Sequence, residues 1–199
     1  MDPIPKTPNT HSPRYYGRDD YPIVFGTTPK CGSTSIMHML KREGFRQVTE
    51  IEALAGNMWP HKLLVIRYPF ARLVSAYRYF VLEHQRAPHG LVPENVMRRM
   101  TLDEFVRFTR DHPDYHWTPQ TFQHEHWPEF HLVPLERLNT LWPLLDLGDV
   151  LQEKKTSHNL GDVLTGWKRL STEMQNYVSE RYATDFAAYG RATKTTLFN

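Results

Sequence analysis

Short apolar runs alternate along the chain with stretches of amphipathic helical spacing. Ile23, Val24 and Phe25 form a run closed by Gly26, the pattern of a buried strand. After a glycine-containing loop, Ile36, Met39 and Leu40 recur from Ser33 onward at helical spacing. Gly44, just past Lys41 and Arg42, marks the end of that helix. Residues 46–49 give a weaker strand pattern. Leu63, Leu64, Val65 and Ile66 are four consecutive apolar residues, as expected of a strand covered on both faces. Pro69 then opens a helix, since its missing N–H would be unpaired at a first helical position anyway. Phe70, Leu73, Val74, Tyr77, Phe80 and Val81 make its apolar stripe.

Residues 84–100, with Pro88, Gly90 and Pro93, read as a long irregular connection suited to a lid or an acceptor-binding segment. Thr101 and Glu104 fit a capping box for a helix carrying Leu102, Phe105, Val106 and Phe108. Residues 112–129 are dense in His, Trp and Pro, and 130–134 resemble a last short strand. Leu138, Leu141, Leu144 and Leu145 suggest a further helix. Ser171 or Thr172 caps a C-terminal one, with Met174, Tyr177, Val178, Tyr182 and Phe186 on one face. Strands alternating with helices predict an α/β fold with a mostly parallel sheet, whose ligands sit at the carboxyl ends of the strands. Five prolines among the first 22 residues predict an extended arm over 1–21, followed by a single domain over 22–199.

Composition narrows the classes. The 199 residues suit one domain; 40% hydrophobic and 13% aromatic content supports a real core and excludes disordered, collagenous and coiled-coil chains. No run approaches the roughly 18 apolar residues of a spanning helix, and the first residues lack the apolar centre of an export signal. A lone cysteine, Cys31, fits a reducing compartment, so a cytoplasmic location is expected. With 24 basic and 22 acidic residues the net charge is +2, too small an excess to suggest nucleic acid. Any basic site must therefore be local.

The loop Gly26-Thr27-Thr28-Pro29-Lys30-Cys31-Gly32-Ser33-Thr34-Ser35 lies between a strand and a helix, where free backbone N–H groups and the positive helix end attract an anion. It is not the nucleoside-triphosphate loop, because Lys30 precedes Gly32 by two positions rather than following a glycine directly. The second strand also ends in Arg67 where such an enzyme needs a carboxylate for magnesium. A cation at that strand end neutralises an anion without a metal ion. On the following helix Arg72, Ser75 and Tyr79 lie at i, i+3 and i+7, opposite the apolar stripe and towards the same crevice. Direct ligation and an ion pair along the helix are both open to Arg72. Eleven histidines invite a metal reading, but Pro113 interrupts the pair His112 and His116, and His124 with His126 lacks a third ligand. No metal is expected.

Pro29-Lys30-x-Gly32-Ser33-Thr34-Ser35 resembles the 5′-phosphosulfate loop of sulfotransferases, and Arg67-x-Pro69-x-x-Arg72-Leu73-Val74-Ser75-Ala76-Tyr77 resembles their 3′-phosphate segment. His116-Trp117-x-Pro119 and Tyr182-x-x-Asp185-Phe186-x-x-Tyr189 are similar to motifs of the carbohydrate, Golgi-type branch. The resemblance spans most of residues 22–190. It implies a P-loop-like three-layer α/β sandwich and 3′-phosphoadenosine 5′-phosphosulfate (PAPS) as the donor of a sulfuryl group to a hydroxyl of a carbohydrate or other small acceptor. It implies that Pro29, Lys30, Cys31, Gly32, Ser33, Thr34 and Ser35 surround the phosphosulfate, with Lys30 at the departing oxygen, and that Arg67 and Ser75 hold the 3′-phosphate. Lys155, Ser157 and Asn159 sit where relatives close a segment over the donor. Three residues compete for the general base: Glu50 after the weak strand, Glu52 two positions on, and His116. The chain is shorter than Golgi members and lacks their anchor and paired cysteines, which suits a bacterial or viral cytosolic setting. An ATP-dependent kinase and a nucleotide-binding module without catalysis are the alternatives. Acceptor identity and oligomeric state are not legible.

Overall fold

The computed structural model describes residues 14–55, 58–124, 126–147 and 160–195. Five strands form one sheet: β1 (Arg14–Gly17), β2 (Ile23–Thr27), β3 (Arg46–Val48), β4 (His61–Ile66) and β5 (His131–Pro134), in the order β3-β1-β2-β4-β5. β2, β4 and β5 pair in parallel, whereas β1 runs antiparallel to both β2 and β3. The expected mostly parallel α/β sheet is present, with β1 as its one reversed strand.

That strand revises the expected arm. Residues 14–17 fall inside the segment read as an extended strap over 1–21, yet Tyr15 and Tyr16 are buried and β1 is paired on both sides. Residues 1–13 lie outside the described residues. The weak strand over 46–49 is β3, which ends at Val48 because Thr49 caps a helix, α2 (Glu50–Leu54).

Every position of β2 is buried, which is why its sequence is a run rather than an alternation. On one face Ile23, Phe25, Leu63, Val65 and Val133 pack against Ile36, Met39 and Leu40 of α1 (Ser33–Arg42). Leu138 and Leu141 of a later short helix and Trp142 complete that face. On the other, Val24, Leu64 and Ile66 meet Tyr15, Trp59, Phe130 and Ala192. Two covered faces make the three layers.

After β4 the chain enters α3 (Pro69–Tyr77), which widens into a π-helical turn over Arg78–Glu83. The irregular stretch 84–100 holds a 3₁₀ turn and α4 (Glu94–Met97). Thr101 and Glu104 form the expected capping box on α5 (Leu102–Asp111). α6 (Gln120–Gln123) precedes β5, and α7 (Leu138–Leu141) follows it and tightens into a 3₁₀ turn at Trp142–Leu145. α8 (Leu160–Lys168) comes next. The single C-terminal helix expected from sequence is two, α9 (Thr172–Arg181) and α10 (Ala183–Lys194), broken at Tyr182. Phe70, Leu73, Phe105, Val106, Val163, Met174 and Val178 join α3, α5, α8 and α9 in a separate apolar cluster, each such side chain contributing about 1.5–3 kcal/mol on burial.

Candidate active site

Thr27 pairs with Val65 across the parallel strands β2 and β4, so Thr28 and Arg67 leave the sheet at neighbouring carboxyl ends. The loop starts with a tight turn in which the Cys31 N–H donates to the Thr28 carbonyl over 3.1 Å. Pro29 takes the second position and Lys30 the third with φ 67°, the pattern of a type II turn, which normally wants glycine there. A lysine in that region stores about 1 kcal/mol or more of strain and needs outside support.

All four turn residues receive it. The Thr28 hydroxyl lies 3.0 Å from His124 Nε2, and the Pro29 carbonyl accepts from Arg72 Nε at 2.9 Å. The Lys30 carbonyl accepts from Arg67 Nη1 at 3.2 Å, and Cys31 Sγ–H donates to Gln120 Oε1 at 2.9 Å. Side chains from 67–72 and 120–124 thus fix the turn's shape. Cys31, expected beside the donor, turns its fully buried thiol into the core, where burial pushes its pKa up to about 12.

Beyond the turn, Gly32 begins α1 with φ 72°, and a Cβ there would meet Leu135 Cδ1 at 2.8 Å. Ile36 is the first residue whose N–H bonds back, to the Gly32 carbonyl, and no side chain caps the helix. The N–H groups of Ser33, Thr34 and Ser35 therefore have no partner among the described residues, and Thr34 is exposed. That is an anion cradle.

Three cations belong to the turn or brace it. Arg72 does not face the crevice as its helical spacing predicts: it is 1% exposed, and besides Pro29 it donates to the carbonyls of Tyr115 (2.9 Å) and Thr118 (2.7 Å). It is a brace between the turn and the His116 loop. Arg67 is buried, and its Nε has no hydrogen-bond partner among the described residues. Burial holds its guanidinium below the ordinary value. Ser75, half-buried on α3, lies one turn beyond Arg72. The Lys30 ammonium rests 3.5 Å from the centre of the Tyr79 ring, and burial lowers its pKa to about 8 against the opposing charge of Glu83. No carboxylate among the described residues lies within ion-pair distance of Lys30, Arg67 or Arg72. Partly desolvated cations without counter-ions favour an incoming anion.

The π-helical turn explains Tyr79. It brings Tyr79 and Phe80 under Lys30, and His116 packs on the same two rings, at 6.4 and 4.7 Å between centroids. His116 Nδ1 is 2.7 Å from Asp114 Oδ1, whose carboxylate is buried and also accepts the His116 N–H. The Nδ1–H therefore belongs to Asp114, and Nε2 is left as the acceptor. Burial lowers the pKa of His116, with Asp114 opposing, so the imidazole is neutral near pH 7.

The two acidic candidates differ. Glu52 is the reciprocal partner of Thr49 in the capping box and also pairs with Arg46; because the strand stops at Val48, it shares no strand face with Glu50. Glu50 accepts from Tyr15 Oη at 3.0 Å, and Tyr15 Oη lies 3.0 Å from His124 Nδ1. Lys155, Ser157 and Asn159 lie outside the described residues. Sequence reasoning missed Gln120, which also takes the Arg67 N–H and donates to the Arg67 carbonyl, both at 2.9 Å. It missed Tyr15 and Asp114 as well and weighed His124 only as a metal ligand; Gln120 and Asp114, beside the His-Trp motif, had a positional signal. No group of three or more His, Cys, Asp or Glu among the described residues is arranged to hold a metal ion.

The terminal motif binds this assembly together. Asp185 accepts from the N–H groups of Gln120 (2.7 Å) and Thr121 (2.9 Å) and from the Thr121 hydroxyl, while Tyr182 Oη donates to the Trp117 carbonyl. No curated protein and no solved structure matches the chain. A family model does, over residues 13–190, a span that holds the turn, its four supports, the His116 loop and the Asp185 clamp: the protein belongs to the sulfotransferase family and is a transferase of sulfuryl groups.

Proposed function

We propose that the protein moves a sulfuryl group from PAPS to a hydroxyl of a carbohydrate or similar small acceptor, without a metal ion. One observation carries this reading: Lys30, Arg67 and the free N–H groups of Ser33, Thr34 and Ser35 converge on one loop, with no carboxylate among the described residues within ion-pair distance of either cation. PAPS, when bound, supplies the sulfuryl group and a phosphate leaving group. The cradle of Gly32, Ser33, Thr34 and Ser35 would hold the 5′ end, and Arg67 with Ser75 the 3′-phosphate. The unpartnered Nε and the fork of the Arg67 guanidinium suit a phosphate.

Lys30 places a positive charge where negative charge grows on the departing oxygen; such groups are worth about 2.7–4 kcal/mol. Of the three base candidates, His116 is favoured: Asp114 fixes its tautomer, Nε2 can accept a proton, and it shares the Tyr79 and Phe80 rings with Lys30. The acceptor hydroxyl's proton goes to His116 Nε2 as its oxygen bonds to sulfur. A cytoplasmic setting belongs to the same proposal.

Thermal shift with 3′-phosphoadenosine 5′-phosphate (PAP) and with ATP, followed by a sulfate-transfer assay, tests it. PAP should stabilise the protein more than ATP, and Lys30→Ala should lose turnover while keeping part of its PAP affinity. Equal shifts, or turnover that requires added magnesium, would overturn the reading.

A further inference from the structure

Four side chains distant in sequence form one hydrogen-bonded row behind the donor loop: Thr28 Oγ1 to His124 Nε2, His124 Nδ1 to Tyr15 Oη, and Tyr15 Oη to Glu50 Oε1, each step 3.0 Å. Its proton order is set by its ends. A carboxylate only accepts, so Tyr15 donates to Glu50. Tyr15 Oη must then accept from His124 Nδ1–H, which leaves Nε2 to accept the Thr28 hydroxyl proton. His124 is fully buried, and burial lowers its pKa to about 3, which keeps the ring neutral as this order requires. Tyr15 is likewise held in its protonated form by burial and by Glu50.

Both ends are anchored. Thr28 is the first residue of the strained turn carrying Lys30, and its carbonyl closes that turn. Glu50 sits in the first turn of α2, fixed by the Thr49–Glu52 capping box. Strand pairing sets Tyr15 opposite Gly26, two residues before Thr28. Thr28 itself is fully buried, so an acceptor hydroxyl does not reach it.

We infer that Tyr15, His124 and Glu50 are positioning residues for sulfuryl transfer: they hold Thr28, and through it the donor turn, in the shape that receives the 5′ end of the donor. Glu50 thereby acts at the loop rather than as the base. Such a row polarises along its length, so breaking one link weakens the others. The inference rests on the PAPS reading for its ligand but not for its geometry.

The test compares Tyr15→Phe with Glu50→Gln, whose amide oxygen still accepts from Tyr15. Tyr15→Phe should raise the PAP dissociation constant and the donor KM roughly tenfold, with kcat within about twofold; Glu50→Gln should lose far less of both. Hydrogen exchange at the Cys31 amide, measured without ligand, should speed up in Tyr15→Phe. Thr28→Val breaks the row at its other end and carries the same expectation should Tyr15→Phe not fold. Unchanged Cys31 exchange in a folded Tyr15→Phe protein overturns the inference whatever the donor is. So does a hundredfold fall of kcat in Glu50→Gln with PAP affinity intact, which would make Glu50 the base. Wild-type protein that ignores PAP while Tyr15→Phe still loosens Cys31 overturns the donor assignment and leaves the positioning role supported.

Discussion

Arg67 Nη1 donates to the backbone carbonyl of Lys30 across 3.2 Å, so the cation at the end of β4 grips the residue whose side chain serves the end of β2. The same guanidinium keeps Nε without a protein partner among the described residues. On the proposed reading the one planar fork both supports the turn and offers an edge to phosphate, and a lysine ammonium lacks the geometry for both. Arg67→Lys is expected to lower kcat/KM for the donor about a hundredfold although the charge is retained. Steady-state kinetics at saturating acceptor check this, and a variant with wild-type kcat/KM would remove Arg67 from the site.

Lys30 combines a left-handed backbone with a desolvated amine, two features that cost stability and that the proposed function assigns to the reaction. Asparagine tolerates this φ better than lysine and carries no charge to desolvate. Lys30→Asn should therefore be more stable than wild type by about 1 kcal/mol in denaturant unfolding. Its transfer rate should fall about 10²- to 10³-fold. A destabilised Lys30→Asn protein would show that the turn is not strained at this residue.

In the proposed mechanism two titrations bound the pH profile. Lys30 must be charged, and with a pKa lowered to about 8 it loses that charge as the pH rises through 8. His116 must be neutral, and its lowered pKa leaves it so down to below the ordinary histidine value near 6.5. kcat/KM should therefore show a plateau between an acid limb below pH 6.5 and a basic limb near pH 8. Lys30→Arg should carry the basic limb to higher pH, whereas His116→Asn should abolish the acid limb. A basic limb unmoved by Lys30→Arg would assign it to another group.

Much of the scaffold is legible because it depends on local chemistry. Ile23, Val24 and Phe25 in β2 and Leu63, Leu64, Val65 and Ile66 in β4 are apolar runs since both sheet faces are covered there, and Thr101 with Glu104 announces its helix through bonds three residues apart. The donor loop is legible because a strand, a glycine and hydroxyls adjacent in sequence suffice to make an anion cradle. β1 is not, because Arg14–Gly17 is short, follows a proline-rich stretch, and is stabilised only by pairing with β2 and β3. Helical spacing aims Arg72 at the crevice, whereas its guanidinium is buried against the carbonyls of Pro29, Tyr115 and Thr118. The same spacing turns Tyr79 towards the crevice but gives no sign that its ring lies under Lys30, where the helix widens at Arg78–Glu83. Gln120 and His124 reach across 53 to 109 positions of sequence to their partners, contacts that no local pattern encodes.

The Asp185 clamp gives an effect that is remote from the reacting atoms yet reaches the site. Its carboxylate takes four donors from the start of α6, two backbone N–H groups, the Thr121 hydroxyl and, at 3.5 Å, the Gln120 side-chain amide, and so fixes Gln120. Gln120 in turn fixes the backbone of Arg67 and the thiol of Cys31. Asp185→Asn keeps the volume but replaces one accepting oxygen with a donor that faces donors. Hydrogen bonds to a charged group are worth about 1.5–3 kcal/mol each, so a loss of roughly 3 kcal/mol is expected. Because α6 loosens together with Arg67, the donor KM should rise while the acceptor KM changes little. Thr121→Val removes one of the four bonds and should cost about 1 kcal/mol with little kinetic effect. A double-mutant cycle between the two positions should show coupling, as residues sharing one network do. Strict additivity, or an Asp185→Asn protein with wild-type donor KM, would mean that the C-terminal helix supports the fold without setting the geometry of the donor loop.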